Sequence, residues 1–237
     1  MPVKIKSTSG SVTLDAQNVS GDQTLTVPSI AGGKTLLTTD GDGSSLTGVG
    51  DLSFGGDTFG ADKTIGSNDN YALSFETNAV ERLKIDSSGR VTMPSQPAFN
   101  AYGSTSMSNL TGTTTVNFNS EFFDQNSNFN TSTYTFTAPV TGKYQINATL
   151  VLQSLDINHS GYGIVIETSN RNYVNQPIID PAAFDQGPAE WTLHGSVFVD
   201  MDANDTSLIR LYTAGGTNVD IYMAGQPRTL FSGFLVC

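Results

Sequence analysis

The chain has 237 residues, a formal net charge of −11 and only 14% charged residues. The acidity argues against binding to phosphate backbones, and no apolar run approaches the length of a membrane helix. Twenty-four glycines and a scarcity of amphipathic helical patterns indicate β structure with many turns. The hydrophobic content of 37% is low for a self-sufficient globule, which favours assembly of several chains that share apolar faces.

The two ends of the chain bear on its cellular compartment. The opening MPVKIKSTSG has two lysines but no apolar segment behind them, so we expect no secretory signal. The single cysteine, Cys237, leaves no intrachain disulfide. We therefore expect a protein that is assembled in a reducing cytosol.

The first fifty residues predict short strands separated by turns. In SVTLDA, Val12 and Leu14 alternate with polar residues, and TLTVP repeats the pattern with Leu25 and Val27. A third segment, KTLLTT, leads into the turn DGDGSS. A lone sheet of such strands buries too little surface to be stable, whereas three copies wound together would cover its edges. The pattern favours a trimeric β stem.

This segment resembles the stem repeats of bacteriophage tail and head fibres. The resemblance covers residues 10–49, and LLTTDGDGSSLTGV is its most specific part. The stretch IGSNDNYALSFETNAVERLKIDSSGRVTMPSQ also looks like phage fibre sequence that precedes a head domain. It predicts three strands, at Tyr71–Glu76, Glu81–Ile85 and Arg90–Met93.

Pro94 and Pro97 bracket a connector, because proline cannot donate a hydrogen bond to a sheet ladder. The predicted domains are a fibre stem or attachment segment at 1–49, a second β-rich stem or connector module at 50–95, and a head domain at 96–237.

From Pro97 onward the predicted strands are longer. In YTFTAPVTGKYQINATLVL one face carries Tyr144, Ile146, Ala148, Leu150 and Leu152. Further strands are predicted at Gly163–Thr168, Leu193–Val199, Leu208–Tyr212, Val219–Met223 and Leu230–Val236. The gap from Ser169 to Gly187 contains two prolines and predicts a surface loop. The predicted fold class is all-β, a short-strand stem followed by a jelly-roll β-sandwich.

The stretch NFNSEFFDQNSNFNTSTYTFTAPVTGKYQINA is similar to the signature of the complement globular-head family, the jelly rolls related to tumour necrosis factor. The positions that carry the family's spacing are Phe118, Asp124, Phe129, Phe136, Gly142 and Tyr144. PAF at Pro97–Phe99 and FSGF at Phe231–Phe234 support the match, whereas Ile146 and Ala148 stand where the family usually has aromatic residues. The resemblance implies a three-fold assembly with apolar side chains packed along its axis.

These residues also have a physical interpretation of their own. Phe129, Tyr134 and Phe136 are large apolar side chains for the sandwich interior or the trimer axis. Gly142 follows Pro139 in a predicted tight turn, where it could take a positive φ. Phe234 in the final strand is expected to close the core.

The sequence gives little support for catalysis. His159 and His194 lie far apart without ligand-like spacing and are expected to be surface or turn residues. The acidic candidates for polysaccharide cleavage surround the long loop: Glu167, Asp180, Asp185 and Glu190. A head of this size offers little groove for a polymer, so we predict no catalytic residues.

Calcium is the one cofactor that the pattern brings into question. The segment DMDANDTS supplies oxygen ligands from Asp200, Asp202, Asn204 and Asp205, and heads of the resembled family sometimes bind calcium near the trimer apex. The competing interpretation is a solvated turn, which we prefer. Asp40, Asp42 and Asp51 show only part of the EF-hand spacing and are assigned to a flexible turn.

A glycan-binding surface is a further hypothesis. The candidate aromatic residues are Tyr162, Tyr173, Trp191 and Tyr222. Trp191, with Glu190 next to it in the sequence, is the most specific candidate. Exposed aromatic rings stack on sugar faces, but packing in the core or between subunits is the more common fate of such residues.

The sequence thus predicts a phage virion structural protein, a homotrimeric fibre assembled in the host cytoplasm. The N-terminal stem would contact other virion proteins, and the head would bind a host-surface glycan or protein, without nucleic-acid binding or membrane insertion. A tail fibre is the leading interpretation. Because 237 residues are few for a principal tail fibre, a capsid-bound head fibre or decoration protein is the close alternative. A polysaccharide depolymerase is a third hypothesis.

Overall fold

The computed structural model describes residues 12–15, 24–27, 60–62, 64–155, 157–177, 190–216 and 218–237. The chain divides into two compact units, 1–65 and 66–237. In the first unit, β1 (Val12–Asp15) and β2 (Thr24–Val27) are the two strands that the alternation predicted, and they pair antiparallel. The predicted KTLLTT strand and Asp40, Asp42 and Asp51 lie outside the described residues. The predicted domain boundaries at 49/50 and 95/96 stay predictions.

The second unit begins with a small antiparallel sheet of β3 (Leu73–Thr77), β4 (Val80–Ile85) and β5 (Val91–Thr92). These are the three strands that the sequence predicted, with bounds that differ by a few residues. Asp86 closes its last turn, because its side chain accepts hydrogen bonds from the amides of Ser88 and Arg90 at 2.8 and 3.0 Å. Four of the five residues of β3 are exposed. The sheet therefore has no covered face of its own in the single chain.

The strands of the head follow in chain order. They are β6 (Ala98–Tyr102), β7 (Met107–Leu110), β8 (Thr113–Thr115), β9 (Ser120–Gln125), β10 (Phe129–Asn130), β11 (Thr135–Thr137), β12 (Gly142–Gln153), β13 (His159–Thr168), β14 (Asn172–Asn175), β15 (Trp191–Met201), β16 (Thr206–Gly215), β17 (Val219–Ile221) and β18 (Leu230–Leu235). All regular elements in the described ranges are strands, which confirms the all-β jelly-roll prediction. No helix among these residues is long and apolar enough to cross a membrane.

The head strands form two sheets. The β12 sheet has the order β7-β17-β12-β18-β6-β9, with β15 also paired to β12. The β13 sheet has the order β10-β11-β16-β13-β14, with β8 also paired to β16. Each sheet turns one face inward, and the alternating buried positions of β12 and β16 face each other across the core.

Stacked aromatic rings fill one part of this core. Phe99 stacks on Phe129 and Phe136 at centroid distances of 5.1 and 4.8 Å and meets Phe231 edge-on at 4.9 Å. Phe118 and Tyr144 are fully buried beside them. Such pairs stabilise the core beyond their buried area, so these residues account for the fold.

Two predictions about the core are wrong. Phe234 does not close it, because its side chain is 46% exposed; Phe231 is fully buried instead. Gly142 does not take a positive φ. A Cβ at Gly142 would lie 2.6 Å from Leu235 Cδ1 and 2.7 Å from the carbonyl oxygen of Cys237, so the residue must be small because two strands approach it closely. Tyr134 lies in the turn before β11, where it has a positive φ of 60° and is half-buried.

The long predicted loop is only partly a loop. Strand β14 lies within the segment 169–187 and pairs with β13, so that Val174 stands opposite Val165. Residues 178–187 of the loop lie outside the described residues. His159 also departs from the expectation of a surface histidine, because it is buried against the ring of Tyr162 at 4.8 Å.

Candidate binding site

Three of the predicted glycan-binding residues lie at one end of the β12 sheet. Trp191 begins β15 and pairs with Leu152 near the end of β12, and Glu190 precedes it. Tyr222 directly follows β17, which pairs with the same end of β12. Glu190 and Tyr222, with Gln153 and Arg228, are called the Arg228 cluster below. Trp191 shares its side of the sheet with the buried Leu152 and Leu193, the side opposite to Gln153, so it does not belong to the cluster.

Hydrogen bonds fix the polar part of the Arg228 cluster. Arg228 donates from Nη1 to Glu190 Oε2 at 2.7 Å and from Nη2 to Oε1 at 3.1 Å, the bidentate geometry that suits a guanidinium and a carboxylate. Gln153 Nε2 donates to Glu190 Oε1 at 2.8 Å. The bonds from Arg228 and then from Gln153 lower the pKa of the Glu190 carboxyl, and Glu190 in turn raises the pKa of the Arg228 guanidinium.

An aromatic ring supplies the other part of the Arg228 cluster. The Arg228 guanidinium lies over the Tyr222 ring, 4.6 Å from its centroid. Trp191 is 38% exposed at the same end of the sheet, on its other side. A sugar presents an apolar ring face and a rim of hydroxyls, which match an aromatic ring beside planar polar side chains. The arrangement can therefore bind a glycan by stacking and hydrogen bonding.

Two other residues predicted for glycan binding lie elsewhere. Tyr162 is buried in the core, so its ring cannot stack on a ligand at the surface. Tyr173 lies on β14 and packs against the core cluster. Alternation along β13 carried the signal for Tyr162, because it shares its face with Ile164 and Ile166.

Gln153 and Arg228 were missed by sequence reasoning. They lie 37 and 38 residues from Glu190, and neither stands in a recognisable motif. Only the pairing of β12 with β15, β17 and β18 brings them together.

The carboxylates considered for polysaccharide cleavage are held in ion pairs where the structure describes them. Glu190 has a lowered pKa, which opposes the protonated state that a general acid needs at neutral pH. Glu167 accepts a hydrogen bond from Arg210 Nη2 at 2.9 Å and forms an ion pair with Arg210 Nε, at an N···O distance of 2.7 Å. Asp180 and Asp185 lie outside the described residues.

The calcium candidates are also engaged with donors. Asp200 pairs with Lys143 Nζ at 2.7 Å. Asp205 accepts hydrogen bonds from Ser169 Oγ at 2.7 Å, Asn170 Nδ2 at 2.6 Å and the amide of Asp202 at 2.8 Å. Asn204 has a φ of 75°, typical of a turn. Among the residues that the structure describes, no three His, Cys, Asp or Glu side chains are grouped to hold a metal ion.

A second surface, the outward face of the β12 sheet, carries exposed phenylalanines. Phe234 and Phe198, 46% and 63% exposed, stand opposite Gln145 on its two neighbouring strands. Phe123, on β9 of the same face, is also exposed. Phe198 was missed, although its alternation with Val197 and Val199 places it outward.

Polar side chains beside these rings bond one another. Gln145 Nε2 donates to Ser196 Oγ at 3.0 Å and to Asn147 Oδ1 at 3.1 Å, and Ser196 Oγ donates to Asn147 Oδ1 at 2.9 Å. Such a face can be covered by another chain without leaving these groups unpaired.

Comparison with known proteins identifies the head. The family model of the C1q domain matches residues 98–236. No curated protein matches the chain. Among solved structures, the globular domain of zebrafish complement 1qA protein is similar with 17% identity and a TM-score of 0.42, over 60% of this chain and 98% of that one. Murine APRIL, in a crystal structure at pH 8.5, has 8% identity and a TM-score of 0.42, over 60% of this chain and 99% of that one.

The match to the family model begins at the first residue of β6 and ends one residue after β18, so it spans the whole sandwich. The chain therefore belongs to the C1q domain family, whose globular heads typically trimerise and bind and are generally non-enzymatic.

Proposed function

We propose that the protein is a homotrimeric virion fibre of a bacteriophage, whose N-terminal part attaches to the particle and whose C1q head binds the host surface as a tail fibre. The resemblance of residues 10–49 to phage fibre stems supports the viral context. The exposed phenylalanine face of the β12 sheet is the observation that carries the trimer. Both parts of the chain then need three copies for the same reason, which is the burial of exposed apolar surface.

The trimer interface in this proposal is the part of the outward face of the β12 sheet around Gln145, at the other end of β12 from Gln153 and the Arg228 cluster. Phe198 and Phe234 stand in one cross-strand row on either side of Gln145. Contiguous exposed aromatic residues of this kind mark interaction surfaces, and aromatic residues are enriched in interface cores. The side chains of Gln145, Asn147 and Ser196 hydrogen-bond one another, so they would keep these bonds when the interface excludes water.

The sheet of β3 to β5 supports the same assembly. This sheet carries apolar side chains that no second layer covers. Phe75 is 49% exposed, and further exposed apolar side chains in and beside the sheet are Tyr71, Val80, Val91 and Met93. A three-stranded sheet needs a hydrophobic face that is covered. Two further copies of the sheet would provide that cover.

Removal of the two rings tests the interface. Phe198→Ser and Phe234→Ser should each weaken the trimer at least about tenfold, since aromatic residues are frequent interface hot spots. Light scattering after size-exclusion chromatography measures the mass. Ile157→Ser removes an equally exposed apolar side chain from a loop and should leave the trimer intact. A wild-type monomer at micromolar concentration would contradict the assembly.

Host binding is assigned to the Arg228 cluster, which displays the Tyr222 ring beside the paired Glu190 and Arg228. Three such sites on one trimer raise the avidity although each site alone is weak. Tyr222→Ala should reduce binding of the fluorescent trimer to host cells about tenfold or more. Thr192→Ala changes an exposed position on the same side of the sheet as Glu190, is the matched control and should bind normally.

Two observations on the virus itself test the role. Particles that lack the protein should fail to adsorb; normal adsorption would eliminate the adhesion role. Cryo-EM of the particle should place the trimer on the tail. Density on the capsid instead would favour a head fibre or decoration protein, a role with which the resemblance of residues 10–49 to head fibres also agrees.

A further inference from the structure

A groove crosses the outward face of the β13 sheet, on the opposite side of the sandwich from Phe198 and Phe234. It encloses about 420 Å³, a volume within the range of small-molecule sites. Side chains of β13, β14 and β16 line it, and Thr113 of β8 borders it. We call it the Tyr212 groove.

The strand register builds the floor of the Tyr212 groove. Val165 lies between Val174 of β14 and Arg210 of β16, and Tyr212 stands opposite Gly163 on one side and Thr113 on the other. The valines and the tyrosine ring form an apolar strip. Val174 is 59% exposed, so this strip reaches the solvent.

Two glycines of β13 make room for a polar side chain over this floor. A Cβ at Gly161 would lie 2.6 Å from Gln176 Nε2, and a Cβ at Gly163 would lie 3.4 Å from Gln176 Cβ and 3.2 Å from the Asn175 carbonyl oxygen. Any larger residue at these positions would displace Gln176. The glycines therefore hold the amide of Gln176 at the wall of the groove.

The charges of the groove cancel. Glu167 and Arg210 form an ion pair, with N···O distances of 2.7 Å at Nε and 2.9 Å at Nη2, and both side chains remain about one-third exposed. The guanidinium has five N–H donors, so it can still bond a ligand while it holds the carboxylate. Asn172 and Gln176 add uncharged amides. In a chain of net charge −11, such a groove gives no advantage to an anion, and the ion pair leaves no unmatched charge for a cation.

We propose that the Tyr212 groove binds a neutral carbohydrate, as a second glycan site of the head. One ring face packs on Tyr212 and Val174, which lie beside the buried Val165, and the hydroxyls bond Arg210, Glu167, Asn172 and Gln176. Planar polar side chains held in fixed positions beside an aromatic ring provide the directional bonds and the apolar contact that an uncharged sugar needs. The proposal rests on the proposed host-binding function and extends it, because each head would then bind a surface polysaccharide on two sides.

Saturation-transfer NMR on the full-length protein tests the site, with maltotriose, lactose and N,N′-diacetylchitobiose as neutral probes and sialyllactose as the anionic probe. At least one neutral probe should receive saturation from the wild type. Tyr212→Ala should weaken its binding at least about tenfold, whereas Tyr212→Phe, which keeps the ring, should retain it. Val174→Asp, an exposed substitution that adds a charge without cutting a core contact, should weaken it as well.

Separate controls distinguish this proposal from host adhesion in general. Tyr222→Ala alters the Arg228 cluster and should leave the Tyr212-dependent signal unchanged. Binding of sialyllactose in preference to the neutral probes, or unchanged binding in both Tyr212→Ala and Val174→Asp, would overturn the groove as a neutral glycan site. If the trimer still adsorbs to host cells in that case, the adhesion function stands without the groove. If a proteinaceous host extract competes for the groove and no glycan does, the carbohydrate proposal is wrong.

Discussion

The two β regions of residues 66–237 use the same alternation of apolar and polar residues with opposite results. In the head, β12 buries every second side chain from Tyr144 to Leu152 against the β13 sheet. In the small sheet, β3 alternates as well, yet Phe75 is 49% exposed. The difference shows that alternation specifies a strand, whereas stability depends on a second layer that covers the apolar face.

Removal of a core ring should separate the two regions most clearly. Phe231→Ala deletes a fully buried ring that contacts Phe99 and Phe118 at centroid distances of 4.9 and 5.4 Å, and should cost about 3–5 kcal/mol of unfolding free energy. Urea unfolding followed by the fluorescence of the single tryptophan, Trp191, measures the head. Phe75→Ala should change that transition by less than about 0.5 kcal/mol. Equal costs would mean that the small sheet and the head unfold as one layer.

A glycine pair gives a smaller contrast. At Gly233 a Cβ would lie 2.7 Å from Ile146 Cδ1 and 2.9 Å from Phe99 Cε1, so Gly233→Ala should destabilise the head by about 1–3 kcal/mol through overpacking. At Gly66 nothing lies within 4 Å of a Cβ, and Gly66→Ala should be close to neutral. The same urea titration compares the two variants. If Gly233→Ala leaves the free energy of unfolding unchanged, the aromatic core can rearrange to accept the added methyl group.

The smallest expected difference between the head and the small sheet is in how their stability depends on acid pH. Hydrogen bonds from Ser169 and the Asp202 amide lower the pKa of Asp205 in the head, and bonds from Arg90 lower the pKa of Asp86 in the small sheet. A carboxyl whose folded pKa is lowered stabilises the fold above its unfolded pKa, about 3.9, and loses this effect as the pH falls through the folded value. Asp205→Asn should therefore flatten the acid dependence of the Trp191 transition below about pH 4.

Asp86→Asn is the matched change in the other region. It should abolish the change in the amide shifts of Ser88 and Arg90 that acid causes in the wild type, and leave the Trp191 transition unchanged. An effect of Asp86→Asn on the head as large as that of Asp205→Asn would contradict the separation of the two regions.

The strands could be predicted from the sequence because alternation is a local property. The pattern in Tyr144–Leu152 placed β12, and the spacing from Phe118 to Tyr144 placed the sandwich in its family. Alternation also separates Phe231 from Phe234, since residues three apart in a strand point to opposite faces. The error at Phe234 came from treating an aromatic residue in a strand as a core residue.

The sites depend on distant pairings that no local pattern records. Arg228 meets Glu190 only because β12 binds both β15 and β18. The Tyr212 groove requires β14, which lies in a segment that reads as a loop, and requires Gly163 opposite Tyr212. Composition showed that glycines are numerous but not which of them leave space for a neighbour.

The pairing of β6 with β18 joins the first and last strands of the head, with Phe99 opposite Gly233. During synthesis the ribosome releases β6 long before β18, so the aromatic core around Phe99 stays open until nearly the whole head has been translated. Contacts between positions so far apart in sequence also make closure slow. In the proposed trimer, the earlier segments of the three chains are translated before any head is complete, so the order of translation would set the order of assembly.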